Sequence, residues 1–348
     1  MSMKKIIGKL SAGGFDLQRY EGKIICAILL IFCLVPLVVS SKVVINVLTL
    51  VLLYIILVSS LNVVNGYSGQ FNVGQAGFYC IGAYTAAILS TRFGWSFWVL
   101  LPVSGIISAL FSLVLSIPTA KLKGMYFTIV TLGFSEIVRQ LCLNWTSLTR
   151  GPRGISGIST PDFFGLSIPR NTFFYYLLIV LVAVMLFCTN RILRSRIGRA
   201  WRSIREDEAA AASLGVQVAY YKKVNLAYSA FWAGVAGCVY AFFQRFVSPD
   251  TFTLDESFNI LAMNIIGGQG TLLGPIVGAV MINLITELFR SALQYRMLLY
   301  SVLIIAMMWL RPQGLVGAVN RKAPLNSDEE KKQPMGTEEE EAEYGSAT

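Results

Sequence analysis

Apolar segments bounded by charges or turn residues recur along this chain at 24–39, 43–64, 74–90, 97–118, 125–144, 172–189, 224–244, 258–267, 274–289 and 297–310. Positions 43–91 form 49 consecutive residues without Asp, Glu, Lys or Arg. About 20 apolar residues of helix cross a hydrocarbon core, so this run holds two spans with glycine-rich material between them. Several segments are shorter, as tilted, re-entrant or broken helices are. The pattern predicts an all-α, polytopic transmembrane helix bundle of about ten spans with broken or re-entrant elements.

Polar stretches divide the chain into a leader, 1–23, a membrane domain, 24–317, and a tail, 318–348. The tail carries four consecutive glutamates at 338–341 with almost nothing apolar, so it is expected to be disordered. Within the domain, an external loop covers 145–171 and a cytoplasmic loop covers 190–223. No soluble catalytic domain is expected, and no cleavable signal peptide is recognisable in the leader.

Cations set the orientation. With the amino terminus inside, ten crossings leave 20 Lys and Arg on the cytoplasmic side and eight outside. The piece that decides the count is 257–286, a charge-free run of 30 residues. Reading it as one span changes the distribution to 17 against 11, so a broken element around 267–274 and two cytoplasmic termini are preferred.

A composition of 55% hydrophobic and 14% charged residues excludes a water-facing surface. The net charge of +10 does not indicate nucleic acid, because no basic patch with interleaved stacking aromatics accompanies it. The chain has no histidine, which removes the usual general base and metal ligand; neither a catalytic nor a metal site is expected. Its six cysteines lie in apolar segments without a CxxC pair and read as packing thiols. No GxxxxGK[ST] phosphate loop is present, so any ATP used is bound by a partner.

Four clusters carry the remaining information. In the first, 66–84, glycines stand at 66, 69, 74, 77 and 82 among Ser68, Gln70, Asn72 and Gln75. This suits either close helix packing or exposed backbone along a hydrated pathway. The second, 267–279, contains Gly267, Gly268, Gly270, Gly274 and Pro275, where an unwound or kinked segment is expected. The likeness of the two is compatible with an internal repeat. In the third, Glu136 and Arg139 stand three apart within an apolar span. They read first as a structural ion pair near the outer interface, with Arg139 able to snorkel toward Trp145, and alternatively as a substrate or gating element. The fourth is the cytoplasmic segment 191–215, in which 206–212 is a strong helix former ended by Gly215. It reads as a docking helix or, at its arginines, a headgroup anchor.

These clusters, together with the loop 150–158 (RGPRGISGI), occur in the order that resembles LivM-type permeases, the membrane subunits of ABC importers for branched-chain amino acids. The resemblance covers roughly 43–317. It implies a multi-pass permease of the bacterial inner membrane that moves leucine, isoleucine and valine. Its implied partners are a second, LivH-like permease, two cytoplasmic ATPases and an external substrate-binding protein. Arg205, Glu206, Asp207, Glu208, Ala209, Ala210 and Gly215 then resemble the segment that couples permease to ATPase, although Glu208 stands seven residues before Gly215, one more than the usual pattern. The glycine-rich clusters, with Ser68, Gln70, Asn72 and Gln75, become candidates for the pathway. Urea and short-amide permeases share much of this pattern. A self-sufficient channel or ion-coupled carrier is the reading from a different class, and an intramembrane enzyme is a distant third.

Overall fold

The computed structural model describes residues 41–120, 122, 124–158, 170–288 and 314–316, with Ile28, Leu30, Phe32, Cys33 and Pro36. All belong to the unit Met1–Ala318, and the second unit, Val319–Thr348, lies outside the described residues. So do the leader, the expected segment 297–310 and most of 24–39.

Helices account for nearly everything described. They are α1 (Lys42–Asn62, prolonged by a π turn, Val63–Tyr67), α2 (Gln75–Phe93), α3 (Phe97–Thr119), α4 (Met125–Asn144), α5 (Arg170–Leu193), α6 (Arg196–Glu206), α7 (Glu208–Ser213), α8 (Val218–Gln244), α9 (Leu254–Gly267) and α10 (Gly274–Leu288). Among the described residues, α1 with its π turn, α3, α5 and α8 are long and apolar enough to cross a membrane. Helix α9 has 14 residues, roughly 21 Å at 1.5 Å per residue, and reaches only part of the way. The fold is an all-α membrane bundle with broken elements. Among the described residues, the strands form a two-residue antiparallel ladder, β1 (Ile155–Ser156) with β2 (Phe246–Val247), which joins the loop after α4 to the end of α8.

Helix α8 is the axis of the bundle and packs along α2 and α3 and, less extensively, α1. The approach is close because small residues remove the side chains that would separate the backbones. A Cβ on Gly82 of α2 would strike the backbone of Gly234 in α8, one on Gly237 would strike Tyr79 and Ala83, and one on Gly234 would strike Ser104 and Ser108 of α3. Aromatic rings close the seam near the Trp95 end, where Phe97 packs edge-on against Phe242 and Phe174 at centroid distances of 5.0 and 5.9 Å. Trp95, Trp98 and Trp145 are exposed at that same end, as in the aromatic belt of a membrane interface.

The seam predicts a sharp contrast between two glycines. Gly82→Val must push α2 off α8 and should lower the unfolding free energy in detergent by about 1–3 kcal/mol. Gly133→Ala, where nothing lies within 4 Å of an added Cβ, should leave it unchanged or raise it by up to about 1 kcal/mol. Thermal unfolding of the two variants side by side checks this, and equal behaviour would contradict the packing account.

Candidate translocation and coupling site

The two glycine-rich clusters, about 200 residues apart in sequence, form adjoining turns. After the π turn the chain leaves helical geometry and re-enters it only at Gln75. Val73 N–H donates to Thr131 Oγ1 at 3.2 Å, so α2 begins beside the sixth residue beyond the start of α4, roughly 9 Å along it. The second turn, 268–273, separates α9 from α10. Here the unwound backbone lies before Pro275, which occupies the first turn of α10, where a missing N–H carries no penalty; the proline starts a helix and does not kink one.

Asn62 holds the turns together. Its Nδ2 donates to the Thr271 carbonyl at 2.8 Å, and its Oδ1 accepts from Gly270 N–H at 2.9 Å. Gly66 sits so close to Gly270 that a Cβ would meet the Gly270 backbone. Residues 314–316 add a third strand of backbone: Leu315 and Val316 N–H donate to the carbonyls of Ile266 and Gly267 at 2.9 and 3.0 Å, filling acceptors left open at the end of α9.

The four polar residues of the first cluster are all buried, yet they differ in commitment. Asn72 Nδ2 donates to Gln75 Oε1 at 3.3 Å, Gln75 Nε2 donates to Ser60 Oγ at 2.7 Å, and Ser229 Oγ donates to Gln75 Oε1 at 3.3 Å. Asn72 Oδ1 also accepts from Gly74 N–H, just before α2, at 2.9 Å. By contrast, Ser68 Oγ and Gln70 Nε2 have no hydrogen-bond partner among the described residues. Most glycines of this cluster face backbone or side chains of neighbouring segments, so they serve close packing.

The segment 206–212, expected to be a single helix, is divided. Asp207 adopts extended geometry, ends α6 and caps α7, accepting from Ala209 and Ala210 N–H at 2.8 and 3.0 Å. An aspartate satisfies those free donors better than it serves a helix interior. Arg205 and Glu206 therefore close α6, and Gly215, at φ +84°, closes α7. Glu208 is turned inward and pairs with Lys222 of α8 at 2.8 Å. Ala209, Ala210, Ala212 and Ser213 are exposed, as is Leu214 at 84%. Arg205 also reaches inward: its Nη1 donates to the Gly66 carbonyl and lies against Gly270, and its aliphatic stem covers Gly69.

Glu136 and Arg139 stand apart from these turns, on α4. Arg139 does not extend toward Trp145. It folds back one turn, with Nε 3.0 Å from Glu136 Oε2 and Nη2 2.6 Å from Oε1. Gln140 Nε2 adds a third donor at 2.8 Å. The two-point fork outweighs the solvent a snorkelling guanidinium would reach.

Asn62 and the inward roles of Arg205 and Glu208 were not among the residues singled out from sequence. A lone asparagine at the end of an apolar span was the available signal for the first; nothing local marks the other two. Among the described residues no group of three or more His, Cys, Asp or Glu is placed to hold a metal.

Residues 43–310 match the family described as branched-chain amino acid transport system permease component. The chain is 38% identical over 356 aligned positions to the high-affinity branched-chain amino acid transport system permease protein LivM of Salmonella typhimurium, covering 94% of this chain and 84% of that protein. It is also 38% identical to the Escherichia coli K12 protein of the same name, over 90% of this chain and 81% of that one. The permease protein LivH of Escherichia coli K12 is 24% identical over 76% of this chain and 91% of its own length. No solved structure matches the chain.

Removing the Asn62 amide leaves a buried carbonyl and N–H unpaired. Asn62→Ala should destabilise the purified protein by roughly 2–4 kcal/mol, and Asn62→Asp, which sets a buried carboxylate against the Thr271 carbonyl, by at least as much. Proteolysis should appear first within 268–273. Unaltered thermal stability of the alanine variant would mean that the turns hold without this residue.

Proposed function

The chain belongs to the family of branched-chain amino acid transport system permease components, and on that premise we propose that it is a pathway-forming subunit of an ATP-driven importer for leucine, isoleucine and valine. Two cytoplasmic ATPases supply the energy, and an external binding protein delivers the solute. The second permease is of the LivH kind, a proposal supported by this chain's similarity to permeases of both names. The complex sits in the bacterial inner membrane with both termini of this chain cytoplasmic.

The observation that carries this reading is the pair α6–α7. Helix α7 offers small exposed residues and a bare leucine, Leu214, at 84% exposure, a surface suited to a groove on another protein. Behind it, Glu208–Lys222 fixes α7 to α8, and Arg205 grips both glycine-rich turns. Movement of an ATPase against α7 would therefore be delivered to the cytoplasmic seam between α1 and α9. Ser68 and Gln70, which hold hydrogen-bonding capacity in reserve, are the pathway candidates released when that seam parts. Asn72 and Gln75 are already committed to neighbours and serve to position α2.

Two outcomes are expected in the assembled importer. Arg205→Ala should leave ATP hydrolysis within about twofold of the parent while leucine uptake falls at least about tenfold, because a hydrogen bond from a charged donor contributes roughly 1.5–3 kcal/mol to the link. Ala210→Arg should instead weaken ATPase association, measured by co-purification, since a close groove tolerates overpacking poorly. Full uptake by both variants, or robust uptake by this chain reconstituted alone, would overturn the coupled-subunit reading. Separately, a reporter fused after Gly317 should be active only as a cytoplasmic form; periplasmic activity would reverse the orientation.

A further inference from the structure

We propose that the outward face of α4 carries a transit site for zwitterionic amino acids, built on the Glu136–Arg139 pair. This deepens the transport reading above and rests on it. The argument begins with depth. Arg139 and Glu136 lie six and nine residues below exposed Trp145, roughly 9 and 14 Å down the helix from the interface that the tryptophans mark. At that depth a charged pair is tolerated when it faces protein or water and disfavoured when it faces lipid tails.

Yet the pair is only partly covered by its own chain. The Glu136 and Arg139 side chains are 30% and 21% exposed, Gln140 is exposed, and Gly133 looks into open space. With 3.6 residues per turn, Gly133, Glu136, Gln140 and Asn144 fall within an arc of about 80° on one helix face. Exposed Ile129, Ile137 and Leu141 border the same face. It follows that this surface fronts a hydrated space shared with another subunit.

The chemistry of the face matches one class of solute. Arg139 uses two of its five N–H donors on Glu136, leaving donors for an α-carboxylate, while the Glu136 carboxylate, which accepts three hydrogen bonds, keeps about one further acceptor site for an α-ammonium. A zwitterion therefore completes a ring of four alternating charges without breaking the existing pair. An aliphatic side chain would lie on Ile129, Ile137 and Leu141. Because Glu136 and Arg139 already neutralise each other, the site exerts no net charge on a passing solute, so a zwitterion is accommodated without a deep well and an anion or cation gains no net attraction.

Two measurements on the complete importer test the site. Single variants such as Glu136→Gln leave an unpaired charge and are harmful under any account, so the informative variant is Glu136→Gln with Arg139→Gln. A merely structural pair would be dispensable once both charges are gone. The transit site predicts that uptake of labelled leucine stays at least tenfold below the parent, with membrane insertion and ATP hydrolysis retained, and that Arg139→Lys restores part of it. The second measurement is thiol reactivity. Gly133→Cys and Gln140→Cys should react with membrane-impermeant charged methanethiosulfonates above the background of the natural chain, whereas Val180→Cys, exposed on α5, should not. Inert cysteines at 133 and 140, or full uptake by the double variant, would overturn the proposal. Reactivity requires no cargo, so a parent complex that ignores leucine would defeat the transport reading and still report whether this face is wet.

Discussion

Within a bilayer, backbone that leaves a helix must find its hydrogen-bond partners in protein or trapped water, and this structure leaves the helix twice in the same place. The turns after α1 and between α9 and α10 meet that requirement jointly through the Asn62 side-chain amide, which serves one donor and one acceptor of the opposite turn. Glycine makes the arrangement sterically possible, since Gly66 and Gly270 approach closely enough to exclude a Cβ. The remaining features gather around this junction: Arg205 grips it from α6, and residues 314–316 close the end of α9.

The α-helical skeleton was legible because its signal is the solvent itself. Each apolar run that falls on described residues corresponds to a helix, and α4 begins and ends at the residues where the pattern did, 125 and 144. The interruption at 267–274 was equally readable from its glycines. What the pattern could not convey was commitment within the polar clusters. Ser68, Gln70, Asn72 and Gln75 look alike in sequence, yet two are fully engaged and two carry unpartnered atoms, a distinction set by Ser60 and Ser229 on other helices.

Capping chemistry explains another difference. The run 206–212 has uniform helix propensity except at Asp207, and there the demand of free N–H groups overrides continuity, so one expected helix becomes two joined at an extended residue. The consequence is functional separation: α6 points its last arginine at the membrane turns, and α7 points small residues away from them. Arg139 follows the same logic of local demand, since a carboxylate one turn away outcompetes the distant interface.

The small ladder between β1 and β2 constrains how such a bundle moves. Ile155 opposite Val247 and Ser156 opposite Phe246 bind the loop above α4 to the end of α8, while Thr149 Oγ1 ties that loop back to the Cys142 carbonyl at 2.7 Å. At the opposite end the two helices have different partners: α4 holds the segment before α2 through Thr131 and Thr128, and α8 holds α7 through Lys222. A helix of 20 residues is about 30 Å long, so rocking by roughly 10° about the laddered end moves the opposite end sideways by about 5 Å. A modest angular change at the aromatic end thus becomes a sideways step at the opposite tips, where the segment before α2 and helix α7 must follow it.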